Sequence, residues 1–185
     1  FTAFAAANCT SPCQITGNES LNSRSIEPLV TALIAMGADI SYSDRNGFSP
    51  IQINRRITEW RDLTISAAVS SQFASALLLM APMFKGDKKL IITDSSHSQA
   101  YIEMTVHLLN HLGIETSSIN EDTGLCITIN GDYRSSNTPI DLEIPESDWS
   151  SASYFFSILA LSELGSRITL SSFKQNSLQG DSALV

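Results

Sequence analysis

Two hydroxyls and a carboxamide stand together at Ser70-Ser71-Gln72, directly ahead of an uncharged apolar run over residues 73–80. Two chemistries suit that arrangement. Serines at a helix start cap it, each side-chain oxygen accepting from an amide that the helix leaves without a partner. The same amides and hydroxyls can instead receive an anion from solvent, aided by the positive end of the helix dipole. Spacing alone leaves both readings open, and capping is the commoner use of serine at such a place.

Other groups of reactive type are weaker candidates. Glu103, His107 and His111 fall on one helical face, and two histidines four apart can hold zinc. No third ligand lies nearby in sequence, so a solvated polar face is the better account of them. Cys9, Cys13 and Cys126 fit neither a disulfide framework nor a spaced zinc site, and read as free thiols of a reducing compartment. Arg24 stands at a helix start, where the dipole slightly disfavours a cation. That local misfit favours a functional reading for it over a solvated surface arginine.

The elements that must position these residues follow from the hydrophobic pattern. With 185 residues, 43% of them hydrophobic, the chain can bury a sizeable core. Its net charge of -8 speaks against general nucleic-acid or membrane binding, because there is no basic surplus for phosphate backbones. Residues 63–84 carry no charge, yet Ser66, Ser70, Ser71, Gln72, Ser75 and Pro82 interrupt them, so a strand and a buried helix are expected rather than a membrane span. A helix is expected over 25–36, with Ile26, Leu29, Val30, Leu33 and Ile34 on a broad apolar face and Gly37 as its stop. Strands are expected near 38–42, 51–53, 63–65, 89–93, 114–116, 125–129, 141–144 and 167–170, and further helices over 100–112 and 149–164. The two ends read as helices entered midway, and the chain as a fragment cut at both ends.

The pattern repeats. Ile26-Glu27 followed by Gly37 and a strand recurs as Ile102-Glu103 followed by Gly113 and a strand, 76 positions on in both cases. Ser70-Ser71 before an apolar helix recurs as Ser150-Ser151. The repeated unit is β-α-β-α-β-β. Helices apolar all round must be buried on all sides, which implies an α/β architecture with helices inside and sheets outside.

Five stretches, in order along the chain, then carry a resemblance. They are Thr16-Gly17 with Ser23-Arg24-Ser25-Ile26; Val69-Ser70-Ser71-Gln72-Phe73 with Ala76-Leu77-Leu78; Ser98-Gln99-Ala100-Tyr101-Ile102-Glu103-Met104-Thr105; Asp148-Trp149-Ser150-Ser151-Ala152-Ser153-Tyr154-Phe155; and Asn176-Ser177-Leu178-Gln179-Gly180-Asp181. With them the chain resembles the 5-enolpyruvylshikimate-3-phosphate synthases of the enolpyruvyl transferase family. The resemblance implies an inside-out α/β barrel of repeated units with buried helices. It implies that residues 1–145 form a shikimate-3-phosphate-binding domain, and that 146–185 form the crossover and start of a second domain. It also implies transfer of the enolpyruvyl group of phosphoenolpyruvate to the 5-hydroxyl of shikimate 3-phosphate, with release of phosphate and no metal or organic cofactor. By the same resemblance Ser70, Ser71 and Ser98 match residues that bind shikimate 3-phosphate, and Tyr101 one that lines its site. Gln72 matches a residue touching both substrates, and Arg24 one that pairs with phosphoenolpyruvate. The longer protein is expected to be a cytoplasmic monomer.

The sequence also departs from that family. Arg24-Ser25-Ile26 stands where an Arg-Pro-Ile is usual, which loosens the helix entry without removing the ligand. Gln99-Ala100-Tyr101 stands where a Lys-Pro-Tyr is common, which removes a positive charge near the sugar. The acid and base carboxylates belong to segments outside this chain, so the fragment alone is expected to be inactive. The sister UDP-N-acetylglucosamine enolpyruvyl transferases usually carry a catalytic cysteine in the loop before the arginine. Here that loop, residues 17–22, has none. A non-catalytic binding domain of the same fold is the remaining alternative, and the intact set of Arg24, Ser70, Ser71, Gln72, Ser98 and Tyr101 argues against it.

Overall fold

The computed structural model of the chain describes residues 1–94, 99–133 and 145–184. The chain forms two compact units, Phe1–Thr138 and Pro139–Val185.

The first unit holds two successive α/β repeats. The earlier one runs α1 (Thr2–Asn8), β1 (Cys13–Ile15), a short α2 (Glu19–Asn22), α3 (Glu27–Ala35), β2 (Asp39–Tyr42) and β3 (Ile51–Arg55). Its three strands lie in the order β1-β3-β2, each neighbouring pair antiparallel. The later one runs β4 (Leu63–Ser66), α4 (Ser71–Met80), β5 (Lys88–Thr93), α5 (Gln99–His111), β6 (Glu115–Glu121) and β7 (Gly124–Asn130). Its sheet has the order β4-β5-β7-β6, with β4 and β5 parallel and the other pairs antiparallel. This is the β-α-β-α-β-β unit expected from the sequence, and β5-β7-β6 repeats the arrangement β1-β3-β2.

The ends of α3 and α5 show the repeat residue by residue. Gly37 donates to Ile34 and Ala38 to Leu33, while Gly113 donates to Asn110 and Ile114 to Leu109, all between 2.8 and 3.0 Å. Both glycines have positive φ, +100° and +80°. A left-handed residue there lets its own amide and the next one turn back onto the last helical carbonyls, and glycine adopts it without a Cβ penalty. Two helices 76 residues apart therefore stop by the same chemistry.

The core is aliphatic. Leu29, Val30 and Leu33 from α3, Leu77, Leu78 and Met80 from α4, and Leu90, Ile92, Ile127 and Ile129 from β5 and β7 are all buried. On α4 only Gln72 is exposed, so this helix is enclosed along nearly its whole circumference, with α1 and α5 packed against it. The helix α3 departs from the expectation: Ile34 is 45% exposed, so its apolar face is narrower than the periodicity suggested. Lys88 lies on the inward row of β5 with Leu90 and Ile92 and is only 1% exposed. Its ammonium donates to the Gly131 carbonyl. Burial pushes the Lys88 pKa down, while Asp132 and Asp87 pull it back up.

The second unit is built around α6 (Trp149–Ala160). Trp149 and Ala152 are buried, and Trp149 meets Phe173 edge-on at 4.7 Å between ring centres. The rest of this apolar helix is open within its unit: Tyr154, Phe155 and Ile158, and Leu161 just after it, are exposed. Among the described residues of the unit no second layer covers that side. The strand expected over 167–170 is irregular instead. Its neighbourhood supplies only isolated bonds, Ser147 donating through its amide to Ser172 and through its hydroxyl to Ser171. A strand needs a continuous ladder, which the described residues of this unit do not offer. The strand expected at 141–144 lies outside the described residues.

Candidate functional site

The parallel pairing of β4 and β5 determines what the first unit presents. Ser66 pairs with Thr93 at their carboxyl ends, so both strands finish on the same edge of the sheet. Each is followed by a helix, α4 after β4 and α5 after β5, and those helices pack on each other. The amino ends of both helices thus meet the same sheet edge. In parallel α/β structure this is where ligands bind, because amides and helix dipoles converge there.

Ser70 is the N-cap of α4. Its backbone is extended (φ -167°, ψ 125°), and its Oγ accepts from the Gln72 amide at 3.2 Å. The capping role read from the sequence is therefore real, and it does not exhaust the helix end. Among the described residues the Ser71 amide and hydroxyl and the Gln72 carboxamide have no hydrogen-bond partner. The first turn of α4 holds no acidic residue, so nothing there offsets the dipole. The arrangement can hold a compact anion by amide and hydroxyl donors, with Gln72 reaching outward as a neutral donor and acceptor.

Tyr101 lies in the first turn of α5, 43% exposed, with its side chain to solvent. Its carbonyl accepts from Thr105 Oγ1 at 2.9 Å. Ser98 falls outside the described residues. Arg24 is exposed at the entry to α3, and its guanidinium has no partner among the described residues. By the 76-residue repeat it stands one position ahead of the residue equivalent to Tyr101. Its backbone is held on both sides. Asn18 caps α2, and Asn22 both accepts from the Gly17 amide and donates to its carbonyl at 3.0 Å. On the other side, Ile26 donates to the Gly47 carbonyl at 2.9 Å. A cation kept free of internal partners on a fixed loop is suited to a ligand carboxylate or phosphate. The structure brings Ser70, Ser71, Gln72 and Tyr101 to one edge; no bond ties Arg24 to them among the described residues.

The remaining candidates have plainer surroundings. Glu103 accepts from Gln99 Nε2 at 2.7 Å, and His107 and His111 are exposed on the same helix. Cys9 and Cys13 are half-buried against the core and Cys126 is buried. Burial pushes the Cys9 thiol up, and the neighbouring Cys13 adds to the shift. Ser150 and Ser151 do not cap α6 in the way Ser70 caps α4. Asp148 does, accepting from the Ser150 amide at 3.0 Å, while Ser151 donates to Asp148 and Ser150 to Asp181. Two concavities, of about 270 and 450 Å³, lie beside residues 9–12 with 54–56 and beside 58–60 with 83–85 and 132. Neither includes the first turn of α4.

Two polar groups escaped the sequence reading. Asp94, at the end of β5, accepts from Ser66 Oγ at 2.8 Å and from Thr93 Oγ1 at 3.0 Å. Its only sequence signal is an acidic residue directly after a strand. In the second unit Glu146 accepts from the Ser177 hydroxyl at 2.6 Å, the Lys174 amide at 3.0 Å and the Trp149 indole at 3.3 Å. Gln179 adds bonds to the Trp149 amide and the Ser147 carbonyl. Trp149, Ser177 and Gln179 lie in stretches that the motifs single out, without a role for any of them, and Glu146 lies just outside.

The family model described as EPSP synthase (3-phosphoshikimate 1-carboxyvinyltransferase) matches residues 1–185. The 3-phosphoshikimate 1-carboxyvinyltransferase of Bacteroides fragilis is 36% identical over 175 residues, covering 91% of this chain and 39% of that protein. The enzyme of the same name from Methanocaldococcus jannaschii is 33% identical over 171 residues, covering 92% and 38%. A solved EPSP synthase from Acinetobacter baumannii superposes with a TM-score of 0.57 at 22% identity, over 83% of this chain and 32% of that one. At that identity the likeness speaks for the fold alone. The chain spans about two fifths of the length of the curated relatives it matches.

Proposed function

This chain belongs to the EPSP synthase family, and from that premise we propose that it supplies the shikimate-3-phosphate-binding part of a 3-phosphoshikimate 1-carboxyvinyltransferase. The observation that carries the reading is the open amino end of α4, where the Ser71 amide and hydroxyl and the Gln72 carboxamide have no partner among the described residues, at the edge where β4 and β5 both end. A sugar phosphate is a compact polyanion, and this end offers donors and a positive dipole without a competing carboxylate in the turn. Ser70 and Ser71 take the phosphate, together with Ser98, and Tyr101 lines the sugar.

Gln72 touches both substrates. Arg24 pairs with phosphoenolpyruvate, its guanidinium meeting an oxyanion through two parallel N–H donors and keeping its charge at any working pH. The 5-hydroxyl oxygen gives up its proton and joins the enol carbon as the neighbouring carbon gains a proton. Loss of inorganic phosphate from that tetrahedral adduct, together with a proton from the same neighbouring carbon, then restores the double bond. No residue here is assigned to the proton transfers, which fall to parts of the protein beyond this chain, so the chain by itself turns over no substrate. Residues 1–145 act as the substrate domain, an inside-out barrel in the complete fold, and 146–185 as the crossover and beginning of a second domain. The complete protein works as a cytoplasmic monomer.

Titration calorimetry of the full-length protein with shikimate 3-phosphate tests the reading. Binding that Ser71→Ala weakens is expected. Absence of any heat of binding in a folded sample, across a temperature range that excludes a zero-enthalpy coincidence, would sink it.

A further inference from the structure

Asp94 ends β5 in the left-handed region of backbone space, at φ +55°. Aspartate tolerates that conformation better than most residues, yet glycine would hold it with less strain. The side chain is engaged: its Oδ2 accepts from Ser66 Oγ at 2.8 Å and from Thr93 Oγ1 at 3.0 Å. Ser66 is the last residue of β4, and its Oγ in turn accepts from the Ala68 amide at 3.1 Å. A carboxylate has only acceptors, so the Ser66 proton must point at Asp94, which leaves the lone pairs of Ser66 for Ala68. The polarity of the chain Ala68 to Ser66 to Asp94 is thereby fixed. The Ala67 amide donates to the Thr93 carbonyl at 2.9 Å and carries the ladder one step past β4. Only Val69 then separates this tethered backbone from Ser70, the cap of α4.

We propose that Asp94 is a positioning residue: through Ser66 it sets the turn 67–70 that aims the amino end of α4, and so governs affinity for the phosphorylated substrate without touching it. This rests on the reading of that helix end as the phosphate site. Glycine at position 94 separates the two roles of the residue, since it relieves the backbone while deleting both hydrogen bonds.

The test is calorimetric titration of the full-length protein with shikimate 3-phosphate, comparing Asp94→Gly, Ser66→Ala, their double variant, Asp94→Asn and Ser71→Ala. Asp94→Gly and Ser66→Ala should each weaken binding about tenfold, the scale of one charged hydrogen bond. The double variant should be no weaker than either alone, because both cut the same chain. Asp94→Asn keeps one acceptor oxygen and should recover part of the affinity. The thermal midpoint of Asp94→Gly should not fall, which a merely structural role would not allow. Ser66→Ala carries the same test if the glycine variant folds poorly. Affinities within about twofold of the parent for Asp94→Gly and Ser66→Ala, with Ser71→Ala weakened, would overturn the role of Asp94 alone. If Ser71→Ala is equally silent, the phosphate site is misplaced and the proposal falls with it.

Discussion

Thr105 Oγ1 lies 2.9 Å from Ser75 Oγ and joins α5 to α4 where the two helices pack. The same oxygen is 2.9 Å from the Tyr101 carbonyl. One hydroxyl proton cannot serve both partners, and a carbonyl has none to give, so Thr105 donates to Tyr101 and accepts from the Ser75 hydroxyl. Thr105 is buried and Ser75 half-buried, so this contact fixes how far apart the two amino ends stand.

Thr105→Val keeps the shape and leaves Ser75 without its partner in a half-buried place. Stability should fall by about 1–2 kcal/mol. Adding Ser75→Ala should return a good part of that loss, since the orphaned hydroxyl is then gone. Urea midpoints of the two single variants and the double measure the coupling; strictly additive losses would show that the contact is incidental.

At Ser70 capping and anion binding can be separated by charge. Ser70→Ala removes the acceptor for the Gln72 amide and should cost about 1 kcal/mol of stability. Ser70→Asp restores a good cap and brings a negative charge to the helix end. It should therefore match the parent in thermal melting and still bind shikimate 3-phosphate more weakly than Ser70→Ala does. Equal affinities for the two variants would place the phosphate elsewhere.

Gln72 is exposed, and its side chain has no partner among the described residues, so Gln72→Ala should leave stability within about 0.5 kcal/mol of the parent. In the full-length enzyme it should raise the KM of both substrates. A KM that moves for one substrate only would remove the dual role.

The sequence was most informative where the chemistry is local. The Ser70 cap, the Gly37 and Gly113 stops and the 76-residue repeat depend on neighbours within a few positions, and all appear in the structure. Features that depend on distant neighbours were harder to foresee. Lys88 is buried because its stem shares the inward row with Leu90 and Ile92 and its ammonium finds Gly131. A reading by pattern places any lysine outside. The tie between Ser66 and Asp94 joins residues 28 apart and exists only because β4 and β5 are parallel neighbours. Residues 167–170 have strand composition, yet composition cannot supply a partner strand. Ile34 fits the helical period and is exposed because periodicity does not tell how wide the covering surface is.

Glu146 makes the second unit sensitive to acid. The Ser177 hydroxyl bond holds its carboxyl below the usual glutamate range, with the Lys174 amide and the Trp149 and Gln179 side chains adding to the effect against a smaller opposing push from burial. Asp148 is lowered in the same way, first by the Ser151 hydroxyl. A carboxylate whose pKa is lower folded than unfolded contributes its stabilisation fully above the unfolded value, about 4.3 for glutamate. That contribution is lost as pH falls through the folded value. The clasp joining residues 146, 174, 177 and 179 should thus loosen below about pH 4 and be unaffected by pH between about 6 and 8. Trp149 donates to Glu146 and packs on Phe173, so its fluorescence reports the change directly. In a Trp60→Phe background the emission should shift to longer wavelength as the solution is acidified from pH 6 to about 3. Glu146→Gln keeps an acceptor oxygen but cannot titrate, and should flatten much of that transition, leaving the part that belongs to Asp148. Emission that stays constant over the whole range would show that Glu146 is not what holds Trp149 in place.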